Sequence, residues 1–304
     1  YLNGGETRHI DDLFEDSSLF EGEVLTNVVE QVHKALSQDF RWVMTSVAVI
    51  GQATTRSELE YLLAPYLETA RTRLILERLV EGRFLIYNRQ TRAYSLHPID
   101  QAYALSSTPV GSADDATSAF TRYILNDRMT VYYHARRKPE DAWQSLADLE
   151  PVLREFEHLF TNGRYDDAVV IVKEIDVKYL MRWGNAQLMF HLHGRLQGKL
   201  TNRTMMMQSA GNLGNACWMM GDMKEAKRYY EIALPLSREI GDHLSESRWI
   251  GNLGNVSYVM GNSEQAIPYY TQALDLARQL QDKRLMGTWL NNLCLLYTSP
   301  SPRD

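Results

Sequence analysis

Between residues 205 and 280 the apolar positions recur at helical spacing in four successive blocks. Breaks near Gly221, Gly241-Asp242, Gly261 and Gln281-Asp282 separate them. The pattern predicts two antiparallel helix pairs, roughly 205–220 with 223–239 and 245–260 with 263–280. The pairs are copies of one 40-residue unit. Gly211-Asn212-Leu213-Gly214-Asn215 returns as Gly251-Asn252-Leu253-Gly254-Asn255. Ala226, Tyr229-Tyr230, Ala233 and Trp249 return at Ala266, Tyr269-Tyr270, Ala273 and Trp289. A period in this range marks a stacked array, because one hairpin cannot bury its own apolar face.

Gly214 and Ala226 are small where two helix backbones must approach, and Tyr230 is large enough to fill the space between hairpins. This placement resembles the tetratricopeptide repeat, whose Leu-Gly, Gly, Ala, aromatic and Ala positions match Leu213, Gly214, Gly221, Ala226, Tyr230 and Ala233. The unit is longer than the usual form of about 34 residues and lacks its closing Pro. It resembles the longer variant found in peptide-binding scaffolds and signalling ATPases. Upstream, Asn162–Ala168 keeps the Gly-to-Ala gap, and Trp183-Gly184 with Leu188, Met189, Leu192 and Leu196 predicts another hairpin. A helical arm is therefore expected from near residue 119, with a connector of degenerate repeats over 119–210 and full repeats over 211–293. Cys294-Leu295 replaces the Gly-Asn that register calls for, and Leu296–Asp304 has two prolines and no helical pattern. Residues 294–304 are read as a non-native tail, and 1–23 as the remnant of a cut N-terminus.

Residues 24–105 read differently. Helices are expected over 24–36, 40–50, 56–63 and 67–82, the third N-capped by Thr54-Thr55. Residues 84–87, 88–91 and 92–96 read as strand, turn, strand. Helices closed by a hairpin describe a winged helix, the alternative being an irregular helical subdomain with one surface hairpin. A Ser/Thr/Gly/Pro linker follows over 106–118. The third helix, Arg56–Leu63, carries two acids and one base, and would repel the phosphates from which DNA affinity largely comes.

The stretch Tyr94-Ser95-Leu96-His97-Pro98-Ile99-Asp100-Gln101-Ala102-Tyr103-Ala104 resembles the end of the winged-helix module of STAND-type signalling ATPases, which include bacterial NB-ARC proteins. Tyr132-Tyr133, Arg137-Lys138-Pro139, Trp143, Phe156-Glu157-His158-Leu159, Trp183-Gly184 and Gly198-Lys199-Leu200 resemble the connector that leads into repeats in bacterial members. The resemblance implies an upstream nucleotide-binding domain that holds ADP or ATP. It implies that His97 reaches the ADP phosphate, while the residues themselves allow His97 simply to cap the helix that begins at Pro98. No cofactor is expected in this chain.

Composition narrows the function. A net charge of -6 disfavours nucleic-acid and membrane surfaces, and two cysteines make no disulfide framework. No apolar stretch approaches the roughly 18 residues of a membrane span, so a cytoplasmic protein is expected. The Gly-x4-Gly-Lys-Ser/Thr phosphate loop is missing from the chain. His191 and His193 lie two apart and point to different sides of a helix, so no metal pair is expected. The expected architecture is mainly α: a winged-helix module, then an α-α superhelical tetratricopeptide-repeat array. The expected function is a non-catalytic regulatory and protein-binding arm of a nucleotide-switched ATPase. Alternatives are a free-standing repeat scaffold and, more weakly, a winged-helix transcription regulator. A protein or peptide ligand is expected on the concave face, against Asn212, Asn215, Trp218, Arg248, Asn252, Asn255, Tyr258 and Asn292. Their amides can meet an extended backbone, or they can bond within the array.

Overall fold

The computed structural model describes residues 23–298, and side chains from 29 to 297. The chain divides into two compact units, with the boundary between Glu140 and Asp141.

In the first unit, α1 (Glu23–Ala35) and α2 (Gln38–Ile50) are followed by the short strand β1 (Thr54–Thr55), α3 (Arg56–Leu63) and α4 (Thr69–Glu81). Strands β2 (Ile86–Asn88) and β3 (Ala93–Ser95), α5 (Pro98–Ser107) and α6 (Arg122–His134) complete it. Helix α2 ends on Gly51 in the left-handed conformation, and α3 starts on a capping box between Thr55 and Glu58. The three strands are antiparallel in the order β1-β3-β2, with Thr54 opposite Tyr94 and Ile86 opposite Ser95. The strand expected from Phe84 begins two residues later, because the amides of Phe84 and Leu85 bond to Leu79 O and close α4.

The core joins Met44 and Val47 of α2, Leu59, Leu62 and Leu63 of α3, Ile75, Leu76 and Leu79 of α4, and Leu125 and Met129 of α6. The arm therefore does not begin near residue 119. Helix α6 belongs to the first unit, where Tyr133 OH also donates to Glu58 Oε1 at 2.6 Å. The linker expected from Ser106 begins after Ser107, the last residue of α5.

A 3-10 turn at Glu140–Ala142 spans the boundary, and the second unit continues with a 3-10 turn at Leu146–Leu149, then α7 (Glu150–Thr161) and α8 (Tyr165–Ile175). A π-helical turn, Asp176–Met181, leads to α9 (Ala186–Leu196). The repeats follow as α10 (Arg203–Met220), α11 (Met223–Glu239), α12 (His243–Val259), α13 (Ser263–Gln279) and α14 (Lys283–Thr298). Gly221 and Gly261, at φ near 80°, turn the chain from first to second helix in a backbone region that other residues rarely adopt. Helix α14 runs on through Thr298, so the loss of helical pattern expected from Leu296 does not hold for Leu296–Thr298, where Leu296 packs on the last core. Residues 299–304, like 1–22, lie outside the described residues.

Two kinds of large-on-small contact hold the repeats together. Within a hairpin, Tyr230 lies on Gly214, where an added Cβ would meet the ring at 2.5 Å, and Tyr270 lies on Gly254 in the same way. Between hairpins, Trp249 lies on Gly211 and Trp289 on Gly251, each within 2.2 Å of the position a Cβ would take. The indoles stack on Tyr230 and Tyr270. Their N–H groups find Met207 Sδ and Ser247 Oγ, so neither indole is buried with its donor unmet. Cys217 is buried beside this packing, and burial pushes its thiol up to about 11.

His158 of α7 is buried, and burial together with the Arg154 charge lowers its pKa from 6.5 to about 4. Between those values the unfolded chain takes up a proton that the folded chain refuses. The free energy of unfolding should therefore fall by ~3 kcal/mol as pH drops from about 6.5 to 4. Urea titrations across that range check this, and His158→Gln should flatten the dependence.

Candidate partner-binding groove

The first helices of the repeats, α10, α12 and α14, carry the asparagines predicted as contacts, and the structure joins them into one hydrogen-bonded ladder. Asn292 Nδ2 donates to Asn255 Oδ1 at 2.9 Å, and Asn255 Nδ2 to Asn252 Oδ1 at 3.5 Å. Asn252 donates to Asn215 Oδ1 at 3.5 Å, and Asn215 to Asn212 Oδ1 at 3.4 Å. The last member, Asn212, donates to Asp176 Oδ2 at 2.5 Å. Tyr230 OH and Tyr270 OH donate to Asn215 Oδ1 and Asn255 Oδ1 at 2.9 and 2.8 Å. Burial, with desolvation of the phenolate as the main cause, pushes Tyr270 up to about 12 and raises Tyr230 further, so both remain donors.

All five asparagines thus bond within the array. The carbonyl oxygens of Asn215 and Asn255 each accept two bonds, while each amide nitrogen in the ladder donates one of its two hydrogens in these bonds. What the ladder keeps to offer is mostly donors. Asn212 is buried, and its placement is structural.

Asn255 and Asn292 also line a cavity of about 340 Å³ with Trp218, Tyr258, Val259, Tyr270 and Leu295. Its lining combines aromatic and aliphatic side chains with two asparagines, the mixture found in sites that take part of a peptide. Tyr258 is 37% exposed, beside Val259 and Met260 at 54% and 49%. Arg248 is exposed and is not among the cavity's lining residues. His97, in the first unit, caps α5: its Nδ1 accepts from the Ile99 amide at 3.4 Å. That cap places the ring proton on Nε2, on an exposed side chain.

At the foot of the ladder the structure shows a cluster that sequence spacing did not reveal. Asp176 Oδ2 also meets His193 Nε2 at 3.3 Å, and His193 Nδ1 meets Ser209 Oγ at 3.0 Å. All four side chains, Asn212 included, are buried. Ser209 stands one repeat before Trp249, in the place the joint between repeats gives to an indole. Where the array meets the connector the apolar wedge is thus replaced by a polar one. With all its members buried, this Ser-His-Asp set acts as a packing device. Among the described residues no group of His, Cys, Asp and Glu is arranged to hold a metal ion. No helix among them is long and apolar enough to cross a membrane.

Removing the carboxylate leaves the His193 ring and the Asn212 amide buried with an unmet bond. Asp176→Ala should therefore cost about 1–3 kcal/mol in chemical denaturation. An unchanged denaturation midpoint would show that the cluster contributes nothing.

Residues 204–296 match the family model for the tetratricopeptide repeat. The chain is similar to the crystal structure of a signal transduction ATPase with numerous domains (STAND) protein with a tetratricopeptide repeat sensor from Pyrococcus horikoshii. The two share 13% identity at a TM-score of 0.37, over 91% of this chain and 50% of that one. This chain spans about half the length of that protein. No curated protein matches it. The fold is mainly helical and ends in tetratricopeptide repeats.

Proposed function

We propose that the repeats bind an extended segment of a partner protein along the face carrying the asparagine ladder, as the sensing arm of a nucleotide-switched signalling ATPase. The cavity that joins Trp218 and Tyr258 to Asn255 and Asn292 carries the first part of this reading. It sets exposed apolar surface beside a row of amide hydrogens, which suits a ligand that brings backbone carbonyls and an apolar side chain together. The STAND part rests on the sequence resemblance at Tyr94–Ala104 and in the connector. On this reading the first unit is a winged helix, with β2 and β3 as its wing. The capped His97 ring holds its Nε2–H ready for a phosphate oxygen of ADP bound by a separate domain. This chain contributes binding and regulation and carries out no catalytic step; its proposed location is the cytoplasm.

A random peptide library selected on the immobilised chain tests the reading. Tyr258→Ala and Arg248→Ala change exposed side chains outside the ladder bonds, so thermal melts should stay as in the parent. Selected peptides should bind the Tyr258→Ala protein about tenfold more weakly, a change of ~1.4 kcal/mol, with a smaller loss for Arg248→Ala. Peptides that bind both variants as tightly as the parent would overturn the assignment.

A further inference from the structure

Within the first unit, α1, α2 and α5 enclose a cavity of about 300 Å³ that has no part in the reading above. We propose that it binds a small anion carried on a flat ring, with Arg41 as the anion-binding residue. Hydrogen-bond accounting leads to this ligand class. At the cavity, Thr108 Oγ1 donates to Ala104 O at 2.7 Å and lies 3.1 Å from Thr45 Oγ1, so the Thr45 proton goes to Thr108. Ser107 Oγ likewise donates to Ala104 O at 3.2 Å. His33 is held by Asp100 at 3.2 Å, and Lys34 by Glu30 at 2.5 Å. The hydroxyl protons are therefore spent, and His33 and Lys34 already face carboxylates.

Arg41 differs from these neighbours. Its Nε is buried with no hydrogen-bond partner, and no ion pair among the described residues engages its guanidinium. A guanidinium is charged at any ordinary pH and has only donors to give, in a fork that matches carboxylate or phosphate oxygens. With no carboxylate among the described residues engaging it, the guanidinium keeps its outer N–H groups for an acceptor-only ligand in the cavity. Trp42, Tyr103 and Phe120, with Gln38 and Pro109, complete the wall, and the Trp42 and Phe120 rings lie 5.4 Å apart. Aromatic surface beside a fixed cation suits a planar ring bearing one anionic group. The volume lies at the small end of the roughly 300–1,000 Å³ typical of ligand sites. A carboxylate and a phosphate present the same acceptor chemistry, and the probes below distinguish them.

The test is calorimetric titration of the full chain with AMP and with benzoate, against adenosine and benzyl alcohol as neutral counterparts. The Trp42 indole N–H resonance is followed in parallel by NMR. At least one anion should bind at millimolar concentration or below, at least about tenfold tighter than its neutral counterpart, and should shift the Trp42 signal. Benzoate alone binding assigns a carboxylate, and AMP alone a phosphate. Arg41→Ala should lose at least tenfold in affinity. Arg41→Lys keeps the charge without the fork, should lose several-fold, and carries the comparison if the alanine variant does not fold. Binding by neither anion, equal binding of a neutral counterpart, or unchanged affinity in a folded Arg41 variant would overturn the proposal.

Discussion

The repeat array depends on a tryptophan of one hairpin lying flat on a glycine of the hairpin before it. Trp249 on Gly211 and Trp289 on Gly251 bring each indole within 2.2 Å of where a Cβ would stand, so no other residue fits without movement. Because the same indole stacks on Tyr230 or Tyr270, one contact fixes both the spacing of successive hairpins and their rotation. Those two quantities set the distance between Asn215 and Asn252, and between Asn255 and Asn292. The amide bonds of 3.5 and 2.9 Å across hairpins are possible only at that spacing. Packing on one side of the first helices thus positions the polar groups on the other.

The ladder has a direction. Each cross-hairpin amide donates toward the N-terminal side, and the series ends on the Asp176 carboxylate, the strongest acceptor along it. This end coincides with the one joint where Ser209 replaces tryptophan and His193 fills the space with a polar ring. The connector and the repeats are therefore tied by hydrogen bonds where the repeats are tied to each other by aromatic wedges. The two joints differ in what disturbs them: loss of a bond partner for the first, loss of shape for the second.

Periodicity made the repeats legible, since a step of 40 residues repeats both the apolar spacing and the glycine breaks. The four helices it predicted begin and end within one residue of their expected positions, apart from the starts of α10 and α12, which reach back two residues to Arg203 and His243. The pairing of Gly214 with Tyr230 was readable because both sit in one hairpin at a fixed offset. The tryptophan notch was harder to read: Trp249 recurs visibly, but its partner Gly211 lies in another unit, and sequence spacing does not say which small residue a large one covers. The Asp176-His193-Ser209 cluster left no periodic trace, because a degenerate repeat and a π-helical turn separate its members. Substituting 40 residues back from Trp249 to Ser209 was the one available signal. For the asparagines, residue type and register placed them together on the first helices, while their commitment to each other required the distance between hairpins. Arg41 was hidden for the opposite reason, since a guanidinium with no carboxylate partner among the described residues is recognised only by surveying what surrounds it.

The central claim is that the glycine-tryptophan notch sets the joint from which the groove follows. Equilibrium unfolding of Gly211→Ala, combined with hydrogen exchange of α10 and α12, tests it most directly. The account predicts a loss of about 1–3 kcal/mol and weakened protection in both helices, because the added methyl displaces the Trp249 ring. A variant as stable as the parent, with protection unchanged in α10 and α12, would contradict it.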